Sequence, residues 1–326
     1  WILEGDIKSC FDKISHEWMM EHIPTDKRIL KEFMKCGYIN KGKLYPTTEG
    51  SPQGGVISPT YANMVLDGME PMILNVYWRS KVKKTFGVKY NSHKVHMVRF
   101  ADDFIVTASD KETLEAIKQM LESFLRERGL TLSMEKTVIT HINSGFDFLG
   151  WNFRKFKGKL IIKPSSKSMR KVTKKISEII KNNRTTKQEI LIQRLNQVLI
   201  GWANYHQGTC AKKCFGTIDN RTWKILWKWA KRRHPNKKHQ WIVDKYWKEY
   251  KGRRWAFRTE KSILFSMSDM PIVRKSQMAL DKNAFLDKEY FQKRSQKHRQ
   301  KRKMAMSSNN AAHIGIMRYR CESGMQ

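Results

Sequence analysis

The sequence predicts an α+β fold. Three observations carry this reading: a β-hairpin pattern over residues 97–108, an amphipathic helix pattern directly after it, and a strand-turn pattern at 146–151. In Met97-Val98-Arg99-Phe100-Ala101-Asp102-Asp103-Phe104-Ile105-Val106-Thr107-Ala108, two adjacent carboxylates stand between two apolar, β-branched arms. That is the pattern of a hairpin with acids at its tip. Ser109-Asp110-Lys111-Glu112 has the form of a capping box. It opens a helix with Leu114, Ile117, Leu121, Phe124 and Leu125 on one face and Gly129 at its end. The run Phe146-Asp147-Phe148-Leu149-Gly150-Trp151 reads as strand, turn and the start of a new strand.

The acids need a reason to stand there, because charge beside an apolar core is costly unless paired or metal-bound. Another acid with similar surroundings, Asp6, lies in Ile2-Leu3-Glu4-Gly5-Asp6-Ile7-Lys8-Ser9-Cys10-Phe11-Asp12. Carboxylates at the ends of neighbouring strands can hold two Mg²⁺ ions, which clamp the attacking and leaving oxygens of a phosphoryl transfer. An Asp-Asp pair alone is most often a solvated turn, so the weight rests on the order and spacing of further segments. Gly50-Ser51-Pro52-Gln53-Gly54-Gly55-Val56-Ile57-Ser58-Pro59 is a Gly/Pro-rich loop. Ser58 is expected to cap, and Pro59 to take the first position of, a helix running through Thr60-Tyr61-Ala62-Asn63. The glycines would let backbone approach a ligand closely, and Gln53 would hydrogen-bond a base or sugar. Leu130-Thr131-Leu132-Ser133-Met134-Glu135-Lys136-Thr137 completes the set.

These five segments, in this order, resemble the palm of a reverse transcriptase, specifically one encoded by a group II intron. The resemblance covers roughly residues 1–155. It implies an antiparallel palm sheet backed by helices, with Asp6 and Asp102 as metal-binding carboxylates, the Ile7 backbone beside them, and Asp103 as the second acid of the hairpin. It implies that Phe11 excludes a ribose 2′-OH, that Gln53 and Gly54 border the nascent base pair, and that Phe100 lies against the substrate. Lys136 would stand near the triphosphate as a proton donor, and Phe148, Leu149 and Gly150 would form the primer grip. Phe100 departs from the family, which usually has Tyr there; the ring is kept and only the hydroxyl is lost.

Composition splits the chain. Of 64 Lys+Arg and 30 Asp+Glu, residues 1–150 hold 20 and 19, and residues 151–326 hold 44 and 11, so the net charges are +1 and +33. A field of that strength implies a polyanion partner. Eight of the 11 Trp also lie in the second half, where aromatics between basic residues could stack bases. Trp223, Leu226, Trp227 and Ala230 follow helical spacing, so Trp223 and Trp227 are expected inside, with Trp229 and Trp255 unassigned.

Leu199-Ile200-Gly201-Trp202-Ala203-Asn204-Tyr205-His206 and Trp227-Lys228-Trp229-Ala230-Lys231-Arg232-Arg233-His234-Pro235-Asn236-Lys237 resemble the thumb, or maturase, domain of the same family. This implies a helical domain over 156–255 that holds a template–primer duplex and intron RNA, with Arg232, Arg233, Lys237 and Lys238 as RNA contacts. Residues 256–303 resemble a segment that contacts target DNA in some relatives; 292–303 alone holds seven basic residues and no acid. Residues 304–326 are expected to be disordered, and with Cys321 and His313 alone cannot build the nuclease domain many relatives carry.

The five cysteines form no disulfide framework and point to a reducing compartment; Cys10 and Cys36 are expected to be buried. Cys210-x₃-Cys214 with His234-x₄-His239 has zinc-like spacing, but a 19-residue gap holding the Trp helix disfavours it. No apolar run reaches membrane-spanning length. The resemblance implies Mg²⁺ as cofactor, with dNTPs, an RNA template with DNA primer, intron RNA and target DNA as partners. A homodimer is left open, and the setting is bacterial cytoplasm or an organelle. It also implies a fingers region ahead of Asp6 that this sequence lacks, so the chain is expected to be a fragment that does not polymerise alone. The expected function is RNA-directed DNA synthesis and maturase-assisted splicing. The alternatives are a non-catalytic RNA-binding splicing factor from a truncated copy, a retron-type reverse transcriptase and a zinc-dependent nucleic acid binder.

Overall fold

The computed structural model describes residues 1–322 except 41, 46–49, 52–54, 84–85, 92, 251, 275, 277 and 280–281. Residues 38, 40, 44, 79–83, 86–90, 253–254 and 306–322 are described by backbone alone. The chain divides into two compact units, Trp1–Phe146 and Asp147–Gln326, each mixing helices with antiparallel strands.

The first unit begins with β1 (Ile2–Asp6), α1 (Cys10–Lys13), α2 (His16–His22) and α3 (Lys27–Lys35). The short hairpin β2 (Tyr38–Asn40) and β3 (Lys43–Tyr45) follows, then α4 (Ser58–Leu66) and α5 (Met69–Tyr77). A second hairpin, β4 (Arg79–Lys83) and β5 (Phe86–Tyr90), precedes β6 (His96–Phe100), β7 (Asp103–Thr107), α6 (Lys111–Arg126) and β8 (Val138–Thr140). The main sheet has the order β6-β7-β1-β8, so β1 is interior although it comes first in the chain. Its pairings with β7 and β8 are antiparallel. The apolar residues expected at period two are there: Met97, Phe104 and Val106 are buried while Val98 is exposed. They join Leu3 and Ile7 in one core with Val65, Leu66, Met69 and Ile73 of α4 and α5 and with Leu114, Ile117, Leu121 and Leu125 of α6.

Three local expectations are corrected. Asp110, not Ser109, caps α6: its carboxylate accepts from Thr113 N at 2.8 Å, and Ser109 Oγ donates to it at 2.7 Å. A carboxylate suits the positive end of a helix better than a hydroxyl does. Ser58 lies inside α4, whose N-cap is Ile57 without a side-chain bond, with Pro59 in the first turn. Cys36, expected inside, is exposed at the C-cap of α3; Cys10 is buried.

The second unit carries most of β9 (Phe146–Phe148), then β10 (Trp151–Phe156) and β11 (Lys159–Pro164), a three-stranded sheet in the order β11-β10-β9. Four helices follow: α7 (Ser166–Asn182), α8 (Gln188–His206), α9 (Lys212–Arg233) and α10 (His239–Tyr246). They precede the hairpin β12 (Trp247–Tyr250) and β13 (Arg253–Phe257), a 3₁₀ turn at Met267–Asp269, and α11 (Lys288–Glu322). Helix α11 takes in most of the stretch expected to lack structure. Val172, Ile176 and Ile180 repeat every four residues on α7 and meet Leu191, Leu195, Leu199, Phe215, Leu226 and Ala230 in a second core. Trp223 and Trp227 are half-buried against it, stacked at 5.7 Å. Trp229 is the buried one, donating Nε1–H to Asn183 O at 2.9 Å. Trp255, 53% exposed, stacks on Trp223 at 6.0 Å. Met267 and Met270 belong to the same core. Asp219 of α9 fixes their turn, accepting from Ser268 N at 2.8 Å and Met267 N at 3.0 Å.

Candidate active site

The sheet brings the sequence-distant acids together. Asp6 ends β1 and Asp103 begins β7, and the two are register partners. Phe100 also pairs with Asp103, so Ala101 and Asp102 form a two-residue turn. Ala101 takes a left-handed φ of 55°, which is unfavourable for a residue with a Cβ. Arg99 braces the turn: its guanidinium donates to Ala101 O at 3.1 Å and to Asn63 Oδ1 at 2.9 Å, and lies 3.8 Å from Asp67. This clamp was missed in the sequence; its trace there is Asn63 on α4 and Asp67 at the C-cap of the same helix, four residues on.

Gly5 is dictated by Phe104 directly across from it. A Cβ on Gly5 would stand 2.1 Å from the Phe104 ring, and Phe104 is itself buried. The bare backbone lets the ring lie over β1 one residue before the acid.

Lys136 reaches Asp6 from a turn that is itself tied to the strand. Ser133 N donates to Asp6 O at 2.8 Å, and Lys136 N and Thr137 N return to Ser133 O at 3.1 and 2.8 Å. The Lys136 ammonium then sits 2.9 Å from Asp6 Oδ2, with the Lys136 side chain 66% and the Asp6 side chain 17% exposed. That contact raises the Lys136 pKa, with further pull from the charges of Asp103 and Asp102. The Cys10 thiol is pushed up to about 11, chiefly by burial and then by the charges of Asp102, Asp12 and Asp6. Both groups therefore feel Asp6 and Asp102 together.

Among the described residues, no three His, Cys, Asp or Glu side chains form a closed metal cage. Mg²⁺ does not require one: it binds through one or two carboxylates and completes its shell with water and substrate phosphates. The ammonium on Asp6 shows that this corner accepts a cation, so the donor set fits.

Phe11 is half-buried against the first core, and Phe100 is 63% exposed. Gln53 and Gly54 lie outside the described residues. The entry to their loop is fixed: Gly50 N donates to Ile14 O at 3.0 Å and Ser51 N to Phe11 O at 2.6 Å. Gly50 has φ 74°, and a Cβ there would stand 2.2 Å from Phe11 O. This glycine serves approach to the chain's own backbone, where approach to a ligand was expected.

In the second unit, Phe148, Leu149 and Gly150 are half-buried at the turn between β9 and β10. Arg232, Lys237 and Lys238 are exposed. Arg233 differs: it donates to Arg184 O and Thr186 O, both at 2.9 Å, and lies over the Trp229 ring at 4.6 Å. It ties the end of α9 to the α7–α8 connection. Cys214 is half-buried, and His234 Nε2 pairs with Tyr246 Oη at 2.8 Å. A groove of about 830 Å³ between α7 and α8 is lined by Lys171, Lys175, Glu178, Arg194 and Trp202. Among the described residues, no helix is long and apolar enough to cross a membrane.

The family model for reverse transcriptase (RNA-dependent DNA polymerase) matches residues 1–153. The model for the group II intron maturase-specific domain matches residues 169–247. The chain is thus a reverse transcriptase domain followed by a maturase domain. It belongs to the reverse transcriptase/maturase family encoded by group II introns. Among similar proteins, Protein YkfC of Escherichia coli is 33% identical, over 46% of this chain and 46% of that one. The group II intron-encoded protein LtrA of Lactococcus lactis subsp. cremoris is 28% identical, over 47% and 35%. The putative COX1/OXI3 intron 1 protein of Saccharomyces cerevisiae is 30% identical, over 47% and 24%. The matches thus span between about a quarter and a half of these relatives.

Proposed function

We propose that this chain carries the palm and thumb of an RNA-directed DNA polymerase that also assists the splicing and mobility of its group II intron. The observation that carries the reading is the pairing of Asp6 with Asp103 at the hairpin tip, with Lys136 closing on Asp6. Asp6, Asp102, Asp103 and the Ile7 backbone would hold two Mg²⁺ ions. Bound there, the ions would stabilise the charge that develops as a primer 3′-oxygen attacks a triphosphate. Lys136 would neutralise the triphosphate or hand a proton to the leaving group. Phe11, Phe100, Gln53 and Gly54 would border the incoming nucleotide, with Phe11 rejecting a ribose 2′-OH.

The division proposed is 1–155 for the palm, 156–255 for the thumb, 256–303 for target DNA and 304–326 for a tail. Phe148, Leu149 and Gly150 would grip the primer. Arg232, Lys237 and Lys238 would contact intron RNA, as would Arg233 with what remains of its donors. The proposed setting is a nucleic-acid-associated protein of bacteria or organelles.

The test is primer extension and RNA filter binding on Asp6→Asn and Asp102→Asn variants of a preparation with measurable synthesis. Extension should fall by at least 10²-fold, since metal charge stabilisation supplies several kcal/mol, while RNA affinity holds or rises slightly. Near-normal extension by Asp102→Asn would remove the active-site assignment. Splicing assistance by a preparation that never extends a primer would favour the non-catalytic splicing factor.

A further inference from the structure

The Leu149–Gly150 turn is held in a conformation that leucine resists. Leu149 has φ 48° and Gly150 φ 83°, two successive left-handed residues. Glycine takes this region freely, but a branched side chain does so only where its surroundings over-determine it. Both carbonyls of the turn are captured. Tyr205 Oη donates to Leu149 O at 2.7 Å, and Ser165 N donates to Gly150 O at 2.9 Å. Ser165 is the N-cap of α7, and Tyr205 lies in the last turn of α8.

The Tyr205 ring is placed by a stack that leads into the core. It lies face to face on Trp151, with centroids 4.3 Å apart and planes 14° from parallel. Trp151 meets the edge of His206 at 5.7 Å, and His206, fully buried, lies 4.4 Å from Trp202. Trp202 Nε1 donates to Ser168 Oγ at 3.1 Å, and Ser168 Oγ is 3.3 Å from His206 Nε2. The outer side of Tyr205 remains 47% exposed, so its hydroxyl is not needed to fill the core.

We propose that Tyr205 is a positioning residue for primer binding: its hydroxyl holds the Leu149 peptide in the left-handed turn that receives the primer end. This rests on the reading of Phe148, Leu149 and Gly150 as the primer grip. Tyr205 itself touches no primer; it acts through Leu149.

The test compares Tyr205→Phe, Phe148→Ala and the unaltered chain by two measurements. The first is affinity, by fluorescence anisotropy, for a short RNA template annealed to a recessed DNA primer, and for the same RNA fully paired to its complement. The second is hydrogen exchange at residues 147–151 and along α8. Tyr205→Phe should weaken the recessed primer–template about 3- to 10-fold, the worth of one lost hydrogen bond. It should leave the fully paired duplex unchanged and speed exchange at 147–151 without speeding it along α8. Changing Leu149→Asn, a residue that tolerates the left-handed region, should recover part of the Tyr205→Phe loss. Weakening by Phe148→Ala but not by Tyr205→Phe overturns the proposal and leaves the primer-grip reading standing. No effect of either on the recessed primer overturns both. Faster exchange across α8 and the turn alike overturns the proposal by making Tyr205 merely structural.

Discussion

The Lys136 ammonium lies 2.9 Å from Asp6 Oδ2, although 130 residues separate them. The contact puts a positive charge on Asp6 at the hairpin corner. Under the proposed two-metal reading, Lys136 would compete for the position of a divalent ion.

Removing that competitor should strengthen metal binding. A single ion pair at a solvent-accessible lysine is a modest competitor, so Lys136→Met should tighten Mn²⁺, read by electron paramagnetic resonance titration, by roughly two- to fivefold. Asp6→Asn should weaken it, and chelation of metal should remove whatever melting-temperature gain added Mn²⁺ gives each variant. Unchanged Mn²⁺ affinity in Lys136→Met would separate the lysine from the metal site.

Gly5→Ala should unfold the first unit more readily, because the added methyl meets Phe104 at 2.1 Å. Overpacking costs typically 1–3 kcal/mol. In a Phe104→Leu background the added cost should shrink, since contacting residues are not additive. Denaturant midpoints of the two singles and the double form the check; strict additivity would mean that the strand, not the ring, resists the methyl.

The second unit should lose stability in mild acid through His206. Burial lowers its pKa from 6.5 to about 4, so the unfolded chain binds this proton first. Stability is full above pH 6.5 and falls as pH drops toward 4, by on the order of 3 kcal/mol in total. Replacing His206→Gln should flatten the decline in a melting series between pH 7.5 and 4.5. An equally steep decline in the variant would assign the acid sensitivity elsewhere.

Arg233 and its neighbours should separate by readout. Arg233→Ala leaves two carbonyls and a Trp229 face without their cation, so it should lower the melting temperature by the equivalent of about 1–3 kcal/mol. Arg232→Ala and Lys237→Ala should leave melting alone and each reduce the log–log salt slope of RNA binding by roughly 0.7–0.9. A lower slope without lower stability in Arg233→Ala would make it a phosphate contact like the others.

What was legible in the sequence was local and periodic. The 97–108 hairpin, the face of α6 and the 146–151 turn each showed a repeat of two or 3.6 residues, and the acids showed as charge where the pattern called for apolar arms. What was not legible was decided by distant partners. Nothing near Lys136 says that it will meet Asp6, and nothing near Asp219 says that it will fix a turn at Met267–Asp269. The α6 cap shifted from Ser109 to Asp110 because both can accept a hydrogen bond and the carboxylate answers the helix's positive end better. Arg233 read as one more cation in a basic run because its carbonyl partners lie 47 and 49 residues earlier.

Strand β1 precedes both of its sheet neighbours in the chain. Its neighbours in the sheet come from residues 103–107 and 138–140. At ordinary translation speeds of about 5–20 residues per second, it waits on the order of ten seconds for the second of them. Both edges of the strand are open to pairing with other chains until residues 103–107 are made, and one edge stays open until residues 138–140 follow. The closure entropy rises only slowly with loop length, but contacts this non-local make for slow folding. Asp6 gains its register partner only when Asp103 is made, and its lysine only with Lys136, so the corner on which the proposed chemistry depends is completed more than a hundred residues after its first acid.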